Sequence, residues 1–298
     1  MLSQKKPTIK SAPPHSWPGV ETFQLASGHL DRELRISIAR PSSAAGGGKP
    51  IAVYLLDPSF NFSAAVAAAE FLGNFARMVG AKWPDIAIAG VGYQTDDPRE
   101  VMTRRAHDLT PTGQGAPAGV QLPPLSFGGA TSFLAALHDE VMPVVEDRLG
   151  ARPSARVLAG HSLAGLFGLY TLFHHPRYFD GYLLVSPSVW WDDRIAFQYE
   201  KTSREANQSL AARLFLAVGE KEQSPGGGWR NEGFSDDAIA RLRQVQNFRE
   251  LVAALEGRAR DGLRMKSAIV PDEYHLTVFP AAFTNGLRWM VDELARTD

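Results

Sequence analysis

Residues 154–173, SARVLAGHSLAGLFGLYTLF, pass from an apolar strand-like run to a helix-spaced apolar run through Gly160-His161-Ser162-Leu163-Ala164-Gly165. A strand that turns into a helix with no intervening loop must lie under that helix, which restricts the segment to one half of a βαβ unit. The same alternation runs through most of the chain. Apolar runs at 50–56, 85–93, 155–160, 181–186, 212–219 and 264–270 read as strands. Helical patterns are expected around 63–79, 130–149, 163–174, 237–257 and 280–296. Short, nearly continuous apolar strands separated by helices imply a parallel sheet covered on both faces. Residues 21–27 and 33–40 instead alternate and turn through 28–31, as an antiparallel leading hairpin does. The expected class is therefore α/β, with a predominantly parallel central sheet, an antiparallel leading hairpin and helices on both faces.

No repeat or composition shift divides residues 20–298, which read as a single domain, while 1–19 read as a flexible arm. That arm is polar and proline-rich, without the apolar core of a secretory signal. No run approaches the roughly 18 apolar residues of a membrane span. The formal net charge of -1 gives no global field for nucleic acid or an anionic membrane. The absence of cysteine excludes disulfides, thiolate nucleophiles and cysteine-held metals, and is compatible with cytoplasm or periplasm. Residues 42–50 include three consecutive glycines and a lysine, yet lack phosphate-loop spacing and read as a connection. Two long stretches without a clear pattern, 94–129 and 220–236, are expected as loop insertions over a site.

The sharp turn at Ser162 suits a nucleophile elbow, which lifts a serine Oγ above the sheet edge and aims the next N–H at a developing oxyanion. The alternative is an ordinary βα turn with a capping serine. A nucleophilic serine needs a base and an orienting carboxylate, and in the order serine, acid, histidine both follow it in the chain. After the strand at 212–219, Glu222 falls where the acid would lie, with Glu220 as the alternate. Of the histidines after Ser162, His174 and His175 end the elbow helix, whereas His275 lies in the loop after the last strand. His275 is the expected general base. Leu163 supplies one oxyanion donor, and because Pro58 has no N–H, Ser59 or Phe60 is expected to supply the other.

Taken together, the chain resembles the Putative esterase branch of the α/β-hydrolases, which includes enterochelin esterases, IroE-like siderophore hydrolases, S-formylglutathione hydrolase and feruloyl esterases. The resemblance is carried by YLLD at 54–57, RAHDLTP at 105–111, GGA at 128–130, the GHSLAGLF elbow, SPSVWW at 186–191 and EYH at 273–275. It implies an α/β-hydrolase fold and a cofactor-free serine esterase acting on a small-molecule ester, with siderophore trilactones one candidate class. A thioesterase, an acyltransferase or a catalytically silent binding protein are the alternatives on the same fold. Pro58 and Ala164 depart from the glycines usual at their positions. Arg105 is expected to pair with Asp108 or to touch substrate, and Trp190 and Trp191 to wall an acyl pocket. Trp229 and Arg230 are expected on a mobile lid, where they would suit an anionic or catecholate group.

Overall fold

The apolar runs pair into one eight-stranded sheet of order β1-β2-β4-β3-β5-β6-β7-β8. A computed structural model describes residues 19–40, 49–113, 115–117, 120–122, 124–206, 209–258 and 262–296, so the expected arm at 1–19 (except Gly19) and most of the 42–50 connection lie outside the described residues. Strands β1 (Val20–Ser27) and β2 (Arg32–Ala39) form the antiparallel hairpin, and β2 joins β4 (Ile86–Tyr93) antiparallel. From there β3 (Ile51–Leu56), β5 (Ala155–His161), β6 (Gly181–Val185), β7 (Arg213–Gly219) and β8 (Arg264–Val270) run parallel.

Side-chain alternation divides the core into two. Along β3, Ala52, Tyr54 and Leu56 face one apolar cluster, while Ile51, Val53 and Leu55 face the other. The second cluster is closed by α1 (Pro58–Met78) and α9 (Phe279–Leu294). The first is closed by α5 (Leu163–His174) with α3 (Ala130–Ala136), α4 (Met142–Leu149), α6 (Trp191–Glu205), α7 (Asp236–Leu242) and α8 (Gln244–Glu256). Every residue of α5 from Ala164 to Phe173 is buried, so this helix is apolar all round rather than amphipathic.

Four features depart from the pattern reading. Helix α1 begins at Pro58 rather than near 63, because proline is suited to a first helical position and Asp57 turns left-handed (φ 54°) before it. Within 94–129 a polar helix, α2 (Pro98–Asp108), is capped by Asp97, whose Oδ1 accepts from the Arg99 N–H at 2.9 Å. Helix α6 starts at Trp191, the second of the paired tryptophans, with a kink at Asp192–Arg194, where no helix is expected. The helix expected over 237–257 breaks into α7 and α8 at Arg243, whose φ is 49°. The segment at 130–149 remains helical but widens into a π turn at Leu137–Val141. Glu140 in that turn accepts from Ser27 Oγ at 2.5 Å and Gly28 N–H at 2.8 Å, tying it to the hairpin.

The crossing of β5 and α5 explains the small residues of the elbow. A Cβ at Gly160 would stand 2.5 Å from the Ala164 carbonyl oxygen, and one at Gly165 would stand 2.8 Å from Pro187 Cα. Both neighbours are backbone and cannot swing aside. Ala164 fits in place of glycine because the residue facing it, Gly160, lacks a side chain. Gly160→Ala is therefore expected to lower unfolding free energy by about 1–3 kcal/mol as an overpacking change, read as a lower midpoint in urea denaturation.

Candidate active site

Ser162 joins β5 to α5 at φ 61°, ψ -121°, a conformation that costs a non-glycine residue roughly 1–3 kcal/mol. Its surroundings hold it there from both sides. The Ser162 N–H donates to Val185 O at 3.0 Å, and its carbonyl accepts from Leu166 N–H at 3.0 Å and Ser188 N–H at 3.2 Å. The side chain thus stands at the C-terminal edge of the sheet, with Oγ 3.5 Å from Ser188 Oγ. Leu163 opens α5, where the first amides have no partner within the helix and can serve a ligand.

Beside it, the chain leaves β7 at Gly219 and folds the Glu222 side chain back. Oε1 accepts from Gly219 N–H and from Ser186 Oγ, each at 2.5 Å, and Oε2 pairs with His275 Nδ1 at 2.7 Å. Glu222 is 2% exposed, so these partners replace its water. The bond to Nδ1 fixes the imidazole tautomer that leaves Nε2 as the acceptor. Nε2 makes no hydrogen bond among the described residues, and Glu232 Oε1 lies 3.7 Å from it. Glu220 faces elsewhere. Its Oε2 accepts the Asp272 N–H at 3.1 Å and braces the histidine loop from outside.

The imidazole of His275 is subject to opposing influences. Burial alone would push its pKa down, but the Glu232 and Glu222 carboxylates outweigh burial and hold it above the ordinary value of 6.5, with Arg105 opposing them. His161, whose ring centroid lies 4.6 Å from that of His275, is driven well below 6.5 by burial, then by His275 and Arg105. It stays neutral at physiological pH.

Ser162, Leu163 and Ser188 open onto a cavity of about 460 Å³ walled by Met102, Leu122, Leu125, Phe127, Trp190, Trp191 and Phe234. Trp190 and Trp191 thus both line the cavity that Ser162 opens onto, with Trp191 Nε1 donating to Thr112 Oγ1 at 3.1 Å. Arg105 also lines the cavity, but it does not pair with Asp108. Its Nε and Nη2 donate to Asp57 Oδ2 at 3.0 and 2.8 Å, whereas Asp108 binds Arg32 and His107. The reason is helical geometry: Asp108 lies at the end of α2 with its carboxylate turned toward β2, and Arg105 faces the end of β3.

The expected second oxyanion donors are not brought to Ser162. The Phe60 N–H is used within the first turn of α1, donating to Asp57 O at 3.1 Å, and its ring is 56% exposed. Ser59 lines a separate cleft with Arg35, Ser37, Phe62 and Gly92. Both follow from the early start of α1, with Pro58 seated against Gly90 and Gly92. Residues that line the cavity with Ser162 and carry hydrogen-bond donors include Leu163, Ser188, Arg105 and Gln121.

Trp229 and Arg230 also stand apart from this cavity. Trp229 is 66% exposed, and the Arg230 guanidinium lies over the Trp229 and Tyr274 rings. Nor does their segment hang free as a lid. His275 N–H donates to Asn231 Oδ1 at 3.2 Å and Leu276 N–H to Arg230 O at 2.9 Å, so the insertion is fastened to the histidine loop. Asp57, Ser186, Ser188, Asn231 and Glu232 belong to the site without having been expected there. Ser186 and Ser188 lie inside the SPSVWW motif, the one signal that could have found them.

A mostly parallel sheet with helices on both faces and a strained serine between β5 and α5 defines an α/β-hydrolase. The chain belongs to the Putative esterase family, whose model matches residues 27–253. It is 28% identical over 282 residues to the ferri-bacillibactin esterase BesA of Bacillus subtilis, covering 91% of this chain and 89% of that protein. It is 30% identical over 295 residues to a siderophore enterobactin esterase of Emericella nidulans, covering 90% and 92%. The solved siderophore hydrolase EstA of Aspergillus nidulans superposes with a TM-score of 0.82 at 25% identity, covering 97% of this chain and 99% of that one. The protein is an ester hydrolase of the serine type. Among the described residues, no helix is long and apolar enough to cross a membrane.

A base must be neutral to accept a proton, so with His275 as the candidate base activity is expected to rise with pH as its imidazolium ionises, at a midpoint above 6.5 because its pKa is raised. The charged or titratable groups facing that ring are Glu222, Glu232, His161 and Arg105. Glu222→Gln is expected to move the acid limb of the kcat/KM profile to lower pH and to reduce kcat by about 10²- to 10⁴-fold. The profile with a soluble p-nitrophenyl ester from pH 5 to 9 checks both.

Proposed function

We propose that the protein hydrolyses siderophore esters through an acyl-enzyme on Ser162. The observation that carries the assignment of residues is the chain of contacts from Ser186 and Gly219 through Glu222 to His275 Nδ1, beside a serine held in elbow geometry. In this reading His275 Nε2 takes the Ser162 proton as Oγ attacks the ester carbonyl. The Leu163 amide then receives the oxyanion, with Ser188 or Arg105 as the second donor. Glu222 stabilises the imidazolium, which returns its proton to the departing alcohol. Water, activated by the same nitrogen, then cleaves the acyl-enzyme. All of these steps use groups of the chain itself.

The substrate class is supported by the relatives, which are named as esterases of ferri-bacillibactin and of siderophore enterobactin, over nearly the whole chain. The aromatic and aliphatic walls of the cavity suit a bulky acyl group. Net charge supports a small-molecule partner rather than nucleic acid or a membrane surface.

Ser162→Ala and His275→Ala are each expected to lower kcat on a siderophore ester by about 10⁴- to 10⁶-fold, and together by little more, because the residues act as a unit. Glu220→Gln should stay within a few-fold of the parent. The test is chromatography of the linear and monomeric hydrolysis products of cyclic siderophore esters, set against simple p-nitrophenyl esters. Turnover of the simple esters with none of the siderophores would overturn the substrate class. Undiminished rates in Ser162→Ala would overturn the mechanism.

A further inference from the structure

We propose that Glu232 is a specificity-determining residue that selects esters whose acyl side carries no negative charge, an inference that rests on Ser162 and His275 being the catalytic pair. Glu232 lines the cavity with Ser162 and also the smaller recess that holds His275, so it stands at the junction of the two. Its Oε1 lies 3.7 Å from His275 Nε2, on the substrate side of the imidazole.

The position is built rather than incidental. Glu232 adopts a left-handed conformation (φ 60°) closing the short turn at Gly228–Asn231, and its N–H donates to Trp229 O at 3.1 Å. The preceding Asn231 is 1% exposed and accepts the His275 N–H. The carboxylate is thus carried by the same bonds that fix the histidine loop.

Among the described residues, no unpaired cation in the wall compensates its charge. Residues 109–129, which supply Gln121, Leu122, Leu125 and Phe127, contain no charged side chain or histidine. Arg105 is the one cation lining the cavity among the described residues, and the Asp57 carboxylate beside it cancels its charge. With His275 neutral, Arg105, Asp57, Glu222 and Glu232 together carry two net negative charges, of which that of Glu232 is the one lining the cavity. In a partly water-excluded site a second negative charge several ångströms away is disfavoured by roughly tenfold or more. For an iron-chelate ester the consequence follows from charge balance. A ferric ion held by three hydroxamates is neutral overall, whereas one held by three catecholates carries three negative charges; the first is the better match.

The test compares p-nitrophenyl 4-methylbenzoate with p-nitrophenyl 4-carboxybenzoate, each rate normalised to its hydroxide-catalysed hydrolysis, for the parent protein, Glu232→Gln and Glu232→Asp. The parent is expected to favour the uncharged ester by about tenfold or more in kcat/KM. Glu232→Gln should reduce that preference by about tenfold, mainly through KM for the anionic ester, while Glu232→Asp should retain it. A merely structural role would slow both esters alike. The same variant should narrow the preference between a neutral ferric tris-hydroxamate ester and a ferric tris-catecholate ester. An equal ratio in parent and Glu232→Gln, or no preference in the parent, would overturn the proposal. Persistence of both activities in Ser162→Ala would instead overturn the catalytic assignment beneath it.

Discussion

The Glu222 carboxylate is the interaction on which the site depends, because it joins the ends of three elements that the sheet only brings near one another. It takes one hydrogen from the end of β7 at Gly219, one from Ser186 just past β6, and one from His275 in the loop after β8. Parallel strands fix the spacing of these ends but not the rotation of their side chains. A buried carboxylate with three directed partners does so, since losing any one leaves charge unsatisfied in a site with little water. The same requirement explains why Glu222 rather than Glu220 faces inward: the side chain must fold back over Gly219, where a Cβ would stand 3.0 Å from Glu222 Oε1 and 2.4 Å from the Glu273 carbonyl oxygen.

A second buried ion pair orders the opposite wall. Arg105 reaches from α2 to Asp57 at the end of β3, and the pair is nearly excluded from solvent. Removing one partner of such a pair leaves an uncompensated charge, a loss of about 3–5 kcal/mol. The bond therefore holds α2 and the start of α1 against the cavity, and it fixes the angle of a guanidinium that lines the same cavity as Ser162. Pro58 belongs to this arrangement. Its ring packs on the side-chain-free surface of Gly90 and Gly92, so the left-handed Asp57 before it is locked in the orientation that meets Arg105.

Where each residue could be read from sequence follows from the range of the forces that place it. The succession of strands and helices along the chain, the elbow and the candidates Ser162, Glu222 and His275 are local patterns or consequences of parallel topology, and these were legible; the order of strands in the sheet was not among them. Helices α2 and α6 were not, because both are rich in charge and weakly apolar, although Asp97-Pro98 before α2 is a cap that composition obscured. The Arg105 partner lay 48 residues away rather than three, and no spacing rule reaches that far. The oxyanion expectation failed for a nearby reason: reading Pro58 as a missing donor overlooked that proline also starts a helix, which draws the Phe60 amide into its own first turn.

On the proposed mechanism, the 220–236 insertion couples substrate choice to base strength. Had it been a free lid, its charges would be averaged by motion and screened by water. Fastened instead through Asn231 and Arg230 to the residues around His275, it holds Glu232 at a set distance from Nε2. One carboxylate then acts on two species. On the proposed mechanism it favours the imidazolium that forms when Ser162 gives up its proton, and it disfavours any anion occupying the adjoining cavity. These effects share a sign and a distance, so they cannot be tuned separately by moving the loop. A change that admits a more negative substrate at this position must also weaken the base, unless a new cation enters the wall formed by 109–129.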